Sequence, residues 1–163
     1  MLILDNFISE NIIKRNQSMF LEDIEDNKLF LEKNINGSSV LVIGGAGTIG
    51  KSFIKALLHF KPESLTVVDI NENGLTELTR DLRCSNNLFI PKNYKTYPMD
   101  YASTVFFKML KAKNGFDIIA NFSAHKHVRS EKDIYSIESL VRNNIINAKK
   151  LLDVLINYKP KHF

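Results

Sequence analysis

Three stretches of this sequence hold residues whose types and spacing could do chemistry. In SVLVIGGAGTIGKSF, Ser39 to Phe53, the glycines Gly44, Gly47 and Gly50 are spaced like a strand-turn-helix that seats a dinucleotide pyrophosphate. One glycine there permits the tight turn and another lets backbone approach phosphate. The same segment, from Gly45 to Ser52, spells G-x-x-x-x-G-K-S, a triphosphate loop in which Lys51 would reach the terminal phosphates and Ser52 would hold magnesium. Asp69 falls 19 residues after Gly50, at the end of the run LTVVD. An acid at that place accepts hydrogen bonds from adenosine ribose hydroxyls, or completes the metal site of a triphosphate loop. In NFSAHKHVRSE, Asn121 to Glu131, Lys126 stands between His125 and His127. A fixed cation there lowers the cost of holding two phosphates. The histidines have no Cys or carboxylate at ligand spacing, so no metal site is expected.

The glycines favour the dinucleotide. A triphosphate loop demands neither Gly44 nor Gly47, whereas the dinucleotide turn needs both and uses Asp69 on the adjacent strand. Lys51 and Ser52 then occupy the solvent side of a helix's first turn. A P-loop ATP- or GTP-binding protein remains the alternative. NAD is expected over NADP, because Asp69 would face a 2′-phosphate with like charge and no arginine follows it immediately; Arg80 and Arg83 lie a helix away.

These residues need an alternating framework to bring them together. From Val40 onward, β-branched runs (SVLVIG, SLTVVDI, YKTYPMD, FDIIANF) alternate with segments of helical period. The first helix, Thr48 to Phe60, is expected to turn Ile49, Phe53, Ala56, Leu57 and Phe60 inward before Pro62 stops it. The second, about Glu72 to Leu82, carries Leu75, Leu78 and Leu82 inward. The third, Ala102 to Lys113, ends at Asn114-Gly115, a left-handed cap. The fourth, about Ser136 to Tyr158, sets Ile137, Leu140, Val141, Asn144, Ile145, Ala148, Leu151, Leu152 and Leu155 on one side. Right-handed crossovers make the sheet parallel with helices on both faces, a Rossmann-like doubly wound α/β fold over residues 39–163. Residues 1–38 read as an N-terminal helical extension, with Ile8, Ile12, Ile13, Ile24, Phe30 and Leu31 as its apolar positions and Asn36-Gly37 as its close. Such an arm packs on its own domain or on a partner subunit of a homo-oligomer. The end, INYKPKHF, reads as a helix stop at Pro160 and the first residues of a fifth strand, so the domain is expected to be incomplete, a fragment truncated before that strand.

A chain of 163 residues is long enough to bury roughly 70% of its unfolded surface without disulfides. No apolar run approaches the ~20 residues of a membrane span, and the start MLILDNFISE lacks the basic flank of a secretory signal. Cys84 is alone, which fits a reducing compartment, and the cytoplasm is the expected location. Net charge is +4, but Lys and Arg are dispersed among acids with no basic block, which argues against nucleic acid as a partner.

Together VLVIGGAGTIG, Asp69, PMD at Pro98 to Asp100, SAHKHV and the RNNIINA helix resemble extended short-chain dehydrogenase/reductases that act on nucleotide sugars. Within that group the sequence is similar to bacterial UDP-N-acetylglucosamine 4,6-dehydratases and related polysaccharide-biosynthesis proteins, over Ser38 to Phe163. The resemblance implies that Gly44, Gly47, Thr48 and Ile49 cradle the pyrophosphate of NAD and that Asp69 binds ribose. It further implies that Asp100 and Tyr101 lie along the adenine, and that Phe122, Ser123, Ala124 and Lys126 line the nicotinamide side. Asn144 matches the family's helix asparagine. It also sits on an otherwise apolar helical face, where a buried amide must find partners, so bracing a neighbouring strand and touching the cofactor are both open to it. The implied partner of the complete enzyme is a nucleotide sugar of the UDP-N-acetylglucosamine type. The implied reaction takes hydride from C4, eliminates water across C5 and C6, and returns hydride to C6. The family's Tyr-x-x-x-Lys pair does not occur: Pro98, Tyr101, Val105, Ser139 and His162 stand four residues after the five tyrosines. No catalytic residue is therefore expected, and the chain alone is expected to be inactive. A non-catalytic NAD-binding module is a further alternative.

Overall fold

The computed structural model describes residues 7–15, 17, 19–85, 88–126 and 133–163. The chain divides into two compact units, Met1–Asn34 and Ile35–Phe163. In the first, a short π-helical turn at Ile8–Ile12 precedes helix α1 (Leu21–Asp26) and most of α2 (Lys28–Ile35). None of its described residues is buried; Ile12, Met19, Phe20, Leu29 and Phe30 are all exposed.

The second unit is built on four parallel strands, β1 (Ser39–Ile43), β2 (Ser64–Asp69), β3 (Asn93–Pro98) and β4 (Ile118–Asn121), in the order β3-β2-β1-β4. Val40 of β1 is level with Leu65 of β2 on one side and with Ile118 of β4 on the other. β1 and β2 are almost continuous runs of Val, Leu and Ile because both faces of a central parallel strand are covered. β3, at the edge, is only half buried and alternates accordingly. Successive β1 side chains serve opposite cores. Val40 and Val42 pack with Ile54, Leu57 and Leu58 of α3 (Thr48–Leu58) and with Leu75, Leu78 and Leu82 of α4 (Glu72–Cys84). Leu41 and Ile43 pack with Phe106 and Leu110 of α5 (Thr104–Ala112) and with Leu151 and Leu155 of α7 (Ala148–Leu155). Between β4 and α7, α6 (Ile134–Val141) leads into a π-helical turn at Arg142–Asn147.

Two helix faces differ from expectation. In α3 the buried residues are Gly50, Ile54, Leu57 and Leu58, while Ile49 and Ala56 are exposed. Gly50 is drawn down onto the turn before the helix, which rotates α3 toward Ile54. On the last long helix only Leu151 and Leu155 are buried; Ile137, Val141, Ile145 and Leu152 stay exposed, because the sheet lies under the C-terminal half alone. The left-handed stop after α5 is present, with φ of 55° at Asn114 and 84° at Gly115.

The end of the sheet opposite the glycine turn is held by Asp117. Its Oδ2 accepts from the Ser39 N–H at 2.8 Å and from the Ser39 hydroxyl at 2.7 Å, while Oδ1 meets Lys161 Nζ at 2.9 Å. The Asp117 carbonyl accepts from Lys161 N–H at 2.7 Å, and His162 C=O accepts from Ile119 N–H at 3.0 Å, so the last residues begin to pair with β4. The Ser39 backbone N–H, the Lys161 ammonium and the Ser39 hydroxyl together hold the Asp117 carboxyl down at about 2, from an ordinary 3.8. A depressed carboxyl stabilises the fold above its unfolded value and ceases to do so as pH falls through the folded one. Asp117→Asn should therefore cost about 1–2 kcal/mol at pH 7, allowing for solvent screening of a partly exposed pair. That difference should shrink between pH 4 and pH 2; urea unfolding of both proteins across this range checks it.

Candidate functional site

The turn joining β1 to α3 is shaped by its glycines and braced by Asp69. Gly44 has φ of +75°, and a Cβ there would lie 2.6 Å from Ser123 N and 2.7 Å from Phe122 C, so the chain leaving β4 passes directly against it. A Cβ on Gly50 would strike the Gly44 carbonyl oxygen and, at 2.7 Å, the Gly45 Cα, which is why the helix can sit so close to the turn. Gly47 is different: among the described residues a Cβ there would meet only Gly44 O, at 3.4 Å, so its outer side is open to them. One Asp69 oxygen accepts from Ala46 N–H at 2.9 Å and the other from Asn71 N–H at 2.9 Å. Each carboxylate oxygen keeps a lone pair for a further donor. Asn71, Ser103 and Asp133 cap α4, α5 and α6 through their side chains, but Gly47 offers none to α3. The first N–H groups of α3 have no carbonyl within the helix and form a positive end beside the turn.

An open cleft of about 200 Å³ runs along the carboxyl ends of the strands, across the point where the order reverses between β1 and β4. Open parallel sheets bind ligands there. Gly44, Gly47, Asp69, Asp100, Tyr101, Phe122, Ser123 and Ala124 line it, brought together from four different connections. Thr48 and Ile49 open α3 at its edge and are exposed. Lys126 is exposed and outside the lining, and His127 lies outside the described residues. Asn144 is also outside the lining; its neighbour Asn143 belongs to it.

The far wall is a hydrogen-bonded network. Asp100 Oδ1 accepts from Ala102 N–H at 2.8 Å, closing the turn after β3. The next residue, Tyr101, is buried edge-on against Phe106, and its hydroxyl donates to Asn143 C=O at 2.6 Å. Burial pushes the Tyr101 phenol above its ordinary 10, opposed by a hydrogen bond with Ser123 and reinforced by Asp100, so it stays a neutral donor. Asn121 Oδ1 accepts from both Ser123 N–H, at 3.0 Å, and the Ser123 hydroxyl, at 2.6 Å. Phe122 donates its N–H to Ile43 O at 2.8 Å and packs its ring 5.0 Å from Phe53. Sequence reasoning missed Asn121, Asn143 and the lining residues Ile70 and Met99. The only clue was polar: an Asn at the end of an apolar strand, and a second Asn beside Asn144.

The arrangement does not suit a triphosphate loop. α3 has already begun at Thr48, so Lys51 and Ser52 lie within the helix instead of opening it. Lys51 Nζ reaches Glu77 of α4 at 3.5 Å, and the Ser52 hydroxyl donates back to Thr48 O at 3.0 Å. Lys51 thus bridges two helices, which a solvent-facing reading had not foreseen. Among the described residues no group of three or more His, Cys, Asp and Glu could hold a metal ion.

A parallel sheet of this order, with a glycine turn, an uncapped helix start and an acid at the end of β2, defines a Rossmann-like doubly wound α/β fold. The profile of the family described as polysaccharide biosynthesis protein matches residues 40–163, and the chain belongs to that family. It is 30% identical over 125 residues to the uncharacterized membrane protein MJ1061 of Methanocaldococcus jannaschii, which covers 77% of this chain and 34% of that one. Among solved structures it is similar to Pen from Bacillus thuringiensis (26% identity, TM-score 0.65, 78% of this chain and 38% of that one). Bordetella bronchiseptica WbmF in complex with NAD+ and UDP shares the fold (18% identity, TM-score 0.59, 78% of this chain and 34% of that one). The chain thus spans about a third of the length of these relatives. Among the described residues no helix is long and apolar enough to cross a membrane.

Proposed function

We propose that residues 39–163 bind NAD as the cofactor-binding half of a nucleotide-sugar 4,6-dehydratase or epimerase, with a UDP-N-acetylglucosamine-type substrate, in surface polysaccharide biosynthesis. One observation carries this reading: the cleft at the strand reversal joins the open side of Gly47, the uncapped start of α3 and the Asp69 carboxylate. Membership of a polysaccharide biosynthesis family and the NAD+ and UDP bound by WbmF support it.

In this reading the N–H groups of Thr48 and Ile49, beside Gly44 and Gly47, receive the pyrophosphate, where the helix dipole favours negative charge. Asp69 accepts from ribose hydroxyls with lone pairs that Ala46 and Asn71 leave over. Asp100 and Tyr101 flank the adenine, while Phe122, Ser123 and Ala124 wall the nicotinamide end with Lys126 nearby. When bound, NAD supplies the acceptor that takes hydride from the sugar and gives it back. This chain's residues bind, orient and exclude water; none is assigned a proton transfer.

Titration calorimetry with NAD, NADP and ATP-magnesium tests the assignment. NAD should bind tightest, and NADP at least tenfold more weakly, because its 2′-phosphate would meet Asp69. Asp69→Ala should lower NAD affinity about tenfold and narrow the gap to NADP. The same change removes two backbone bonds and should cost about 1–2 kcal/mol of stability. Tighter, magnesium-dependent ATP binding would overturn the reading, and equal wild-type affinities for NAD and NADP would remove Asp69 from the ribose.

A further inference from the structure

The π-helical turn Arg142–Asn147 separates α6 from α7, and its polar groups reach out of the helix to two loops. A turn bonded five residues back is wider than an α-turn and frees groups for other partners. Asn143 C=O accepts the buried Tyr101 hydroxyl from the connection after β3. Asn144 takes hold of the connection after β4. Its Oδ1 accepts from His125 N–H at 2.9 Å, and its Nδ2 donates to His125 C=O at 2.8 Å. The side chain of Asn143 also donates to Asn144 Oδ1, at 3.0 Å, which fixes which way the amide faces. A single side chain therefore satisfies both backbone groups of His125, as a neighbouring strand would.

His125 lines the cleft; Asn144 does not. The segment Phe122–His125 is tied at its start by Phe122 N–H to Ile43 O and by Ser123 to Asn121. Its other end is tied by Asn144. The opposite end of the cleft has its own anchors, since Asp69 is bonded to Ala46 and Asn71, and Asp100 to Ala102. We propose that Asn144 is a positioning residue for the dinucleotide cleft, acting through the His125 backbone to hold the Phe122–His125 wall without touching the cofactor. This rests on the NAD reading above, and it predicts a selective defect. Loosening this wall weakens a ligand that fills the whole cleft and spares one that fills only the Asp69 end.

Calorimetry with NAD and with ADP, together with amide exchange of the ligand-free protein, tests the proposal on Asn144→Ala and on Asn144→Asp. In Asn144→Ala, NAD should bind about tenfold more weakly and ADP within about twofold of wild type. Exchange at the His125 amide should speed at least tenfold while amides of β1 and β2 keep their protection. Asn144→Asp keeps the acceptor for His125 N–H and loses the donor to its carbonyl, so its NAD affinity should fall about threefold; it carries the test if the alanine variant does not fold. Unchanged NAD affinity overturns the proposal, as does equal weakening of NAD and ADP, which would mark general support of the fold. Unchanged His125 exchange overturns it too, and would place Asn144 in direct contact with ligand. A wild-type protein that binds neither NAD nor ADP would instead defeat the dinucleotide reading, leaving His125 exchange to decide the role of Asn144.

Discussion

Gly44→Ala is expected to lose about 3–4 kcal/mol of stability. Two costs combine. At φ of +75° an L-residue is strained by roughly 1–2 kcal/mol. The added carbon would also lie 2.6 Å from Ser123 N and 2.7 Å from Phe122 C, and both are backbone atoms that cannot rotate away. Relief requires the chain to move off β1 just where Phe122 N–H bonds Ile43 O, and forcing extra volume into such a contact costs a further 1–3 kcal/mol. Gly37→Ala isolates the first cost, because φ there is +69° and none of the described residues lies within 4 Å of the added carbon. It should lose only about 1 kcal/mol. Urea unfolding of the two variants beside wild type makes the comparison. Equal losses would mean that the approach of the β4 exit to Gly44 is not tight.

What the sequence made legible follows the range of the interactions. The glycine turn, Asp69 and the strand-helix alternation are local patterns, and each lies where spacing put it. The stop at Asn114-Gly115 is equally local. The face of α3 was harder, because Ile49, Phe53 and Phe60 form as plausible a stripe as Ile54, Leu57 and Leu58. The packing of Gly50 onto Gly44 and Gly45 decided between them, and no hydrophobic pattern encodes that contact. The apolar residues of α6 pointed to a buried helix, yet the sheet reaches only Leu151 and Leu155. Least legible was the polar wall. The bond from Tyr101 to Asn143 spans 42 residues and that from Asn144 to His125 spans 19. Sequence could say that an asparagine on an apolar face needs partners, but not that its partner would be backbone beside the cleft.

Gly47→Val separates ligand binding from folding more cleanly than any other change in the turn. Gly47 is the N-cap of α3 with φ of −72° and ψ of 164°, extended backbone that valine adopts readily. Among the described residues its Cβ would touch only Gly44 O, 3.4 Å away. The fold should therefore lose no more than about 1 kcal/mol, the difference between glycine and a branched apolar residue at an N-cap. The isopropyl group would instead project into the cleft that Gly47 lines, beside the first N–H groups of α3. A phosphate held off by one methyl radius loses charge-assisted hydrogen bonds worth about 1.5–3 kcal/mol each, so NAD should bind roughly 10- to 100-fold more weakly. Calorimetry gives the affinity and thermal unfolding the stability on the same samples. A stable Gly47→Val protein that still binds NAD like wild type would show that the β1–α3 turn does not receive the pyrophosphate, whatever else the cleft binds.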